Sequence, residues 1–312
     1  MNVLNDRGPK GLLLFNLIAN MKNKKIFKLL VLPAVKNVSQ AVEKLPYPID
    51  LAKGSFRDLE ISFQEKGVTI NHKGLDLKDF SFVWLSSSWV SRDIAYAIRL
   101  YLKSVKIQHS YVEKGTSKIT DHMLFALNNI KTPNTLFLGH NKIEKSLDKI
   151  QEICGYPLVV KDTKGSRGFD SILVETPEEL VSEMGKLPKN KKYLFQKFIP
   201  NNYDWGVLVA SGKVVSGEKS YPCFGEFRNN TCNGAKEEFV DPEDIPKEIK
   251  AIALKTSEVL GLSWSRSDII IDKKTQKPYL MEINRLPGLS SESSEIEGAY
   301  QFLSSQLACF SK

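Results

Sequence analysis

The stretch Tyr279-Leu-Met-Glu-Ile-Asn-Arg-Leu-Pro-Gly288 is an apolar run that carries Glu282 and Asn284 at alternate positions. Alternate residues of a strand share a face, so a carboxylate and a carboxamide point the same way. A second run, Ser267-Asp-Ile-Ile-Ile-Asp272, precedes it across a polar turn and carries Asp268 near its start. If the two strands are antiparallel, the start of the first lies beside the end of the second, and all three oxygen-bearing side chains converge. Hard oxygen donors of this kind suit Mg²⁺ held together with substrate phosphates. Polar residues at wetted strand ends would give the same pattern, and Arg285 in the turn either meets a substrate or faces solvent.

Upstream, Lys161-Asp-Thr-Lys-Gly-Ser-Arg-Gly-Phe169 joins two strand-like runs, Tyr156 to Lys161 and Ser171 to Val174. Two glycines, a hydroxyl and flanking cations suit contacts to phosphate oxygens, although a glycine-rich turn between strands is also an ordinary hairpin. Lys161 ends a buried-looking strand, where an amine needs an anionic partner.

The rest of the chain reads as alternating strands and helices. Ser81 to Leu85 is followed by a Ser-rich turn and a helix with Ser91 as N-cap and Ile94, Ile98, Tyr101 and Leu102 at helical spacing, which suggests an open α/β sheet. Apolar spacing predicts helices at Ile119, Met123 and Leu127, and at Ile143, Leu147, Ile150 and Ile153, with Thr132 to Leu138 extended between them. Thr176-Pro-Glu-Glu179 starts a further helix as N-cap, first-turn Pro and capping-box Glu. Strands are expected at 193–199, 205–210 and 213–217, the last two joined at Ser211-Gly212, and a helix over Ile249 to Leu260. Three units follow: 1–112, an N-terminal α/β domain; 113–190, with the glycine loop; and 191–312, with the metal site.

Among 312 residues the apolar share is 42% and the charged share 26%, as in a globular protein. The formal charge of +8 comes from scattered lysines rather than a basic block, which argues against nucleic acid and mildly favours an acidic substrate. The run Gly11 to Ala19 is too short to span a bilayer and is followed by lysines, so a buried helix is expected there. Cys154, Cys223, Cys232 and Cys309 form no CxxC pair and are expected to be reduced thiols of a cytoplasmic protein. The four histidines show no ligand spacing. The serines and Trp89 of Leu85 to Ser91 either read an acceptor substrate or form an ordinary loop before a helix.

The order of these parts resembles the ATP-grasp superfamily, and within it the ribosomal-protein glutamate ligase-like branch, over about Ser117 to Ser290. Its most specific piece is Glu-x-Asn-x-x-Pro-Gly with an upstream Asp. The resemblance implies an α/β (α+β) ATP-grasp fold with an N-terminal open α/β-sheet domain. It implies an ATP-dependent carboxylate–amine ligase working through an acyl phosphate on small-molecule or peptide carboxylate and amine substrates. Lys118 and Lys161 match the lysines that hold ATP phosphates, and Gly165, Ser166, Gly168 and Phe169 match the loop that folds over them. Gln196, Lys197, Phe198 and Ile199 match the hinge at the adenine edge, and Asp204 the acid on the ribose. Asp268, Glu282 and Asn284 match the ligands of Mg²⁺, two ions in the family pattern, with Mn²⁺ as a substitute. Gly225-Glu-Phe-Arg228 places Arg228 near the acyl phosphate. Arg266 resembles the arginine that D-alanine:D-alanine ligases turn on the oxyanion.

Two positions depart from the pattern. Gly206 stands where many members carry an arginine, and Lys219-Ser220 where paired arginines are usual, leaving Lys219 as the expected cation. An ATP-binding module without ligase activity and an ATP-grasp kinase are the alternative functions.

Overall fold

The structure, a computed structural model, describes residues 26–308 except 66, 166–170 and 229–233. The run Gly11 to Ala19, Cys232 and Cys309 lie outside the described residues.

The first unit comprises β1 (Phe27–Leu32), α1 (Val38–Glu43), β2 (Ile49–Lys53), β3 (Leu59–Gln64), β4 (Gly67–His72), β5 (Leu75–Asp76), β6 (Phe82–Leu85), α2 (Arg92–Ser104) and β7 (Gln108–His109). Its main sheet has the order β2-β1-β6-β7 and is parallel throughout. Leu29 to Leu32 and Phe82 to Leu85 are buried without alternation, because helices cover both faces. Strands β3, β4 and β5 form a separate antiparallel sheet. Ser91 precedes α2 as expected, but its hydroxyl turns back to Ser88 N at 3.0 Å instead of capping the helix.

Next come α3 (Lys118–Leu127), β8 (Thr135–Phe137), α4 (Leu147–Ile153), β9 (Leu158–Asp162), β10 (Ser171–Val174), α5 (Pro177–Lys186) and β11 (Tyr193–Lys197). The sheet order is β10-β9-β11-β8, so β11, beyond residue 190, pairs with β9 and β8 of the second unit. Thr176 caps α5 by accepting from Glu179 N at 3.2 Å. Helix α3 forms where the spacing predicts it, with Met123 and Leu127 58% and 71% exposed and Asp121 and Phe125 buried. The apolar stripe faces outward because Phe125 packs with Ile249 and Ala253 and the buried acid meets an arginine, described below.

The third unit comprises β12 (Asp204–Ala210), β13 (Lys213–Tyr221), β14 (Lys236–Val240), α6 (Lys247–Val259), β15 (Trp264–Ile271), β16 (Pro278–Asn284) and α7 (Ser293–Leu307). Its antiparallel sheet runs β14-β13-β12-β15-β16. The β12–β13 turn, Ser211-Gly212, has φ of 47° and 77°, the paired positive values that match strand twist in a tight hairpin. Trp205, Val207 and Val209 alternate onto the α6 face, in one cluster with Ile249 and Ala253. Leu208, Ala210 and Val215 lie in another with Ala299, Phe302 and Leu303 of α7 and with Leu29, Val31 and Trp84 of the first sheet. That second face is covered along only half its length. Its other half, carrying Asp204, Asp268 and Glu282, lines an open cleft with residues of β9 and β11.

Candidate active site

Strands β15 and β16 set Asp268 directly opposite Glu282, and Arg266 opposite Asn284. Ile269 then pairs with Leu280, so Met281 is an extra residue in β16 and its side chain lines the cleft beside Glu282. Asn284 Nδ2 donates to Asp268 Oδ2 at 3.0 Å. Burial, then the nearby Glu282 and Asp204 carboxylates, push Asp268 well above the usual carboxylate range. Burial acts upward on Glu282 too, but the Lys118 and Lys161 ammonium groups outweigh it and hold its pKa down. Two facing carboxylates and a carboxamide make a hard donor set that requires positive charge between them. Two carboxylates and one carboxamide are few donors for an all-protein cage and suit an ion that also takes phosphate oxygens.

Positive charge arrives from two elements. Lys118, the first residue of α3, stands with Nζ 3.2 Å from Glu282 Oε2. Lys161, in β9, donates to Gln196 Oε1 at 2.7 Å, and Gln196 Nε2 donates to Thr135 Oγ1 at 3.0 Å. Burial, then repulsion from Lys118, lowers the Lys161 pKa to about 8. His122, one helical turn after Lys118, completes this cluster although its sequence spacing assigns it no role. Burial, then Lys161 and Lys118, bring its pKa down to about 4, so it is neutral at pH 7. Its i,i+4 relation to a phosphate-type lysine was the available signal.

The cleft is also lined by Lys197, Phe198, Ile199, Asp204 and Arg228. Gln196 is not at its surface: it is fully buried and acts as the seat of Lys161. In the hinge, Lys197 N donates to Asn134 O at 2.9 Å and Phe198 N to Pro157 O at 3.2 Å. Gly165 is buried, with its N–H on Asp162 O at 3.1 Å. Ser166, Gly168 and Phe169 lie outside the described residues.

The three expected catalytic cations separate. Arg228 lines the cleft and makes a two-point pair with Glu226, Nε to Oε1 at 2.9 Å and Nη2 to Oε2 at 2.7 Å. Hydrogen bonds from Arg228 hold the Glu226 carboxyl down to about 2. Arg266 shares the sheet face of Asp268, yet its guanidinium is held by Glu218 Oε1 at 2.8 Å and by Glu295 of α7. Lys219 is a correction, because strand alternation turns it to the opposite face, opposite Trp205. Its ammonium lies 5.2 Å from the Trp205 ring and 5.5 Å from that of Tyr203.

Gly206 has its own explanation. It sits between Glu218 of β13 and Asp268 of β15, and a Cβ there would fall 2.5 Å from Glu218 Oε1. A carboxylate from the next strand thus occupies the space over the residue. Arg285 neither faces solvent nor lines the cleft: it is buried and paired with Asp121.

Residues 115–305 match the RimK-like ATP-grasp domain. A probable alpha-L-glutamate ligase of Syntrophotalea carbinolica is 29% identical over 232 residues, spanning 71% of this chain and 73% of that protein. One from Teredinibacter turnerae is 31% identical over 183 residues, 57% of this chain and 58%, less than two thirds, of that protein. Among solved structures, the VanG D-Ala:D-Ser ligase from Enterococcus faecalis aligns with a TM-score of 0.67 at 14% identity, over 92% of this chain and 100% of that one. The ATP-grasp ligase PsnB complexed with minimal precursor aligns at 0.61 and 12% identity, over 91% and 99%. At these identities the two structures attest the fold.

Proposed function

This chain belongs to the RimK-like ATP-grasp family, and from that premise we propose that the cleft between its second and third sheets binds ATP and activates a carboxylate. The protein is an ATP-dependent carboxylate–amine ligase: a carboxylate attacks the γ-phosphate, and an amine then displaces phosphate from the acyl phosphate. One observation carries the site assignment: Lys118 and Lys161, from separate elements, converge with Asp268 and Glu282 on one cleft. Structural ion pairs do not require two lysines and two partly buried carboxylates around open space.

In this reading Lys118 and Lys161 hold the phosphates and Asp204 the ribose, while the backbone of Lys197, Phe198 and Ile199 meets the adenine and Gln196 seats Lys161 behind it. The glycine-rich sequence that begins at Gly165 is assigned to the phosphates by its composition. Asp268, Glu282 and Asn284 would hold two Mg²⁺, with Mn²⁺ as substitute, and the metal supplies charge neutralisation on the transferring phosphoryl group. Arg228 stands near the acyl phosphate and Arg266 stiffens the sheet face behind it. His122, neutral beside the lysines, adds no further positive charge to the cleft. Of the three units, the second, extended past residue 190 to take in β11, and the third close on the cleft between them, and closure keeps water from the acyl phosphate. The donor and acceptor are amino acids or peptides, and we place the reaction in the cytoplasm. Among the described residues no helix is long and apolar enough to cross a membrane.

Phosphate release from ATP with Mg²⁺, measured across pools of amino acids and peptides, tests the function. Turnover with one pool, lost in Glu282→Ala and Asn284→Ala, is the expected result. Tight ATP binding without turnover in any pool would instead make the chain a nucleotide-binding module.

A further inference from the structure

Arg285 directly follows Asn284, where β16 ends, and is 6% exposed. Its Nη1 and Nη2 donate to Asp121 Oδ2 and Oδ1 at 2.9 and 2.8 Å, a two-point pair, and its Nε donates to Glu113. Glu113 also faces Arg92 Nη1 at 3.2 Å. Arg92, the first residue of α2, donates through Nε to Ser87 Oγ at 3.3 Å and through Nη1 to Thr116. Trp89 covers both arginines, its ring 4.3 Å from Arg92 Cζ and 5.2 Å from Arg285 Cζ. None of these side chains lines the nucleotide cleft.

Two ion pairs therefore join α3 to the end of β16. Lys118 meets Glu282, and three residues further along each element Asp121 meets Arg285. Lys118 and Asp121 lie on the same side of the helix, one turn apart. The first pair is exchangeable, since phosphate oxygens compete for the ammonium and a cation competes for the carboxylate. The second is buried and two-pointed, and neither of its residues lines the nucleotide cleft. Burying this many charges is a costly way to hold a helix against a strand, and apolar side chains would do so more cheaply. What the planar guanidinium adds is direction: two parallel hydrogen bonds fix the helix against both rotation and sliding.

We propose that Arg285 is a positioning residue: by locking α3 through Asp121 it sets where the Lys118 ammonium stands over Glu282, and through Glu113 and Arg92 it ties that setting to the Ser86–Ser91 loop of the first unit. The proposal rests on reading the cleft as a nucleotide site. Its consequence is that a change at Arg285 reaches bound nucleotide by way of Lys118.

A double-mutant cycle on the full chain tests this, with Mg²⁺ and the non-hydrolysable analogue AMP-PNP as the probe and calorimetric binding as the readout. Arg285→Gln and Arg285→Lys are expected to bind about tenfold more weakly than wild type, the size of one displaced charge-assisted hydrogen bond. In a Lys118→Ala background, Arg285→Gln should add less than about twofold, because the group it positions is gone. Arg285→Lys keeps the charge and loses only the fork, so it carries the test if the Gln variant does not give a cooperative melt. Wild-type affinity in the Arg285 variants, or an equal loss with and without Lys118, overturns the positioning role and leaves the nucleotide site standing. A wild-type chain that does not bind the analogue overturns both.

Discussion

Replacing Lys161 with Met removes a cation from the cleft wall, and the structure gives opposite signs for stability and for binding. A lysine ordinarily titrates at 10.5, and in the native cleft Lys161 is lowered to about 8. That drop corresponds to roughly 3 kcal/mol held against the charged form. Water in the open cleft screens part of it, which leaves about 2 kcal/mol. Met strands Gln196 Oε1, which loses its donor and returns about 1 kcal/mol of destabilisation. At pH 7 the variant should therefore be about 1 kcal/mol more stable than wild type, on the order of 2 °C in Tm. Mg²⁺-ATP should bind at least about tenfold more weakly. The pH dependence has a definite sign. Between pH 8 and 10.5 the unfolded chain holds a proton on Lys161 that the native chain has released, so wild-type stability rises with pH. The penalty is whole below pH 8 and gone above 10.5, and the advantage of Lys161→Met must shrink across that window. Thermal melts at pH 7 and pH 10, with calorimetric ATP binding at pH 7, measure all of this. A variant that melts below wild type at pH 7, or a stability difference that ignores pH, would refute the account of Lys161.

Gly206→Ala drives a Cβ to 2.5 Å from Glu218 Oε1 and 2.9 Å from its Cγ. It should expel the carboxylate from Arg266 and cost about 1–3 kcal/mol, read as a lower urea midpoint; an unchanged midpoint would mean the Glu218 side chain yields freely. Lys219→Ala should leave Mg²⁺-ATP affinity and turnover within about twofold of wild type, since the ammonium lies on the far face of the sheet. A loss of tenfold or more would return Lys219 to the site.

The metal strands were readable because period-two alternation and an intervening turn dictate an antiparallel pair, and β15 and β16 meet with Asp268 opposite Glu282. The Met281 bulge was not, since an extra residue leaves no trace in an apolar run. Lys219 misses the cleft by one step: Glu218 and Ser220 share the face of Asp204 and Gly206, and a one-residue offset in a strand reverses the side. In α3 the Ile119, Met123 and Leu127 stripe marks the helix but not its buried face, which Asp121 and Phe125 take. Asp121 finds Arg285 from 164 positions away, and no local pattern encodes a contact at that separation. The same separation hides the role of Arg285 from the sequence. His122 Nε2 lies 3.5 Å from Gln196 Nε2, a neighbour likewise remote in sequence, 74 positions on, so this contact leaves no local trace.

The central claim is that the carboxylate is activated by phosphoryl transfer. Once a donor is found, its carboxylate can be labelled with ¹⁸O and the released inorganic phosphate examined by mass spectrometry or ³¹P NMR. Attack of that carboxylate on the γ-phosphate leaves one labelled oxygen bridging carbon and phosphorus, and it departs with phosphate when the amine adds. The account predicts one ¹⁸O per phosphate released, with ADP as the other product. Unlabelled phosphate, or label appearing in AMP, would contradict it.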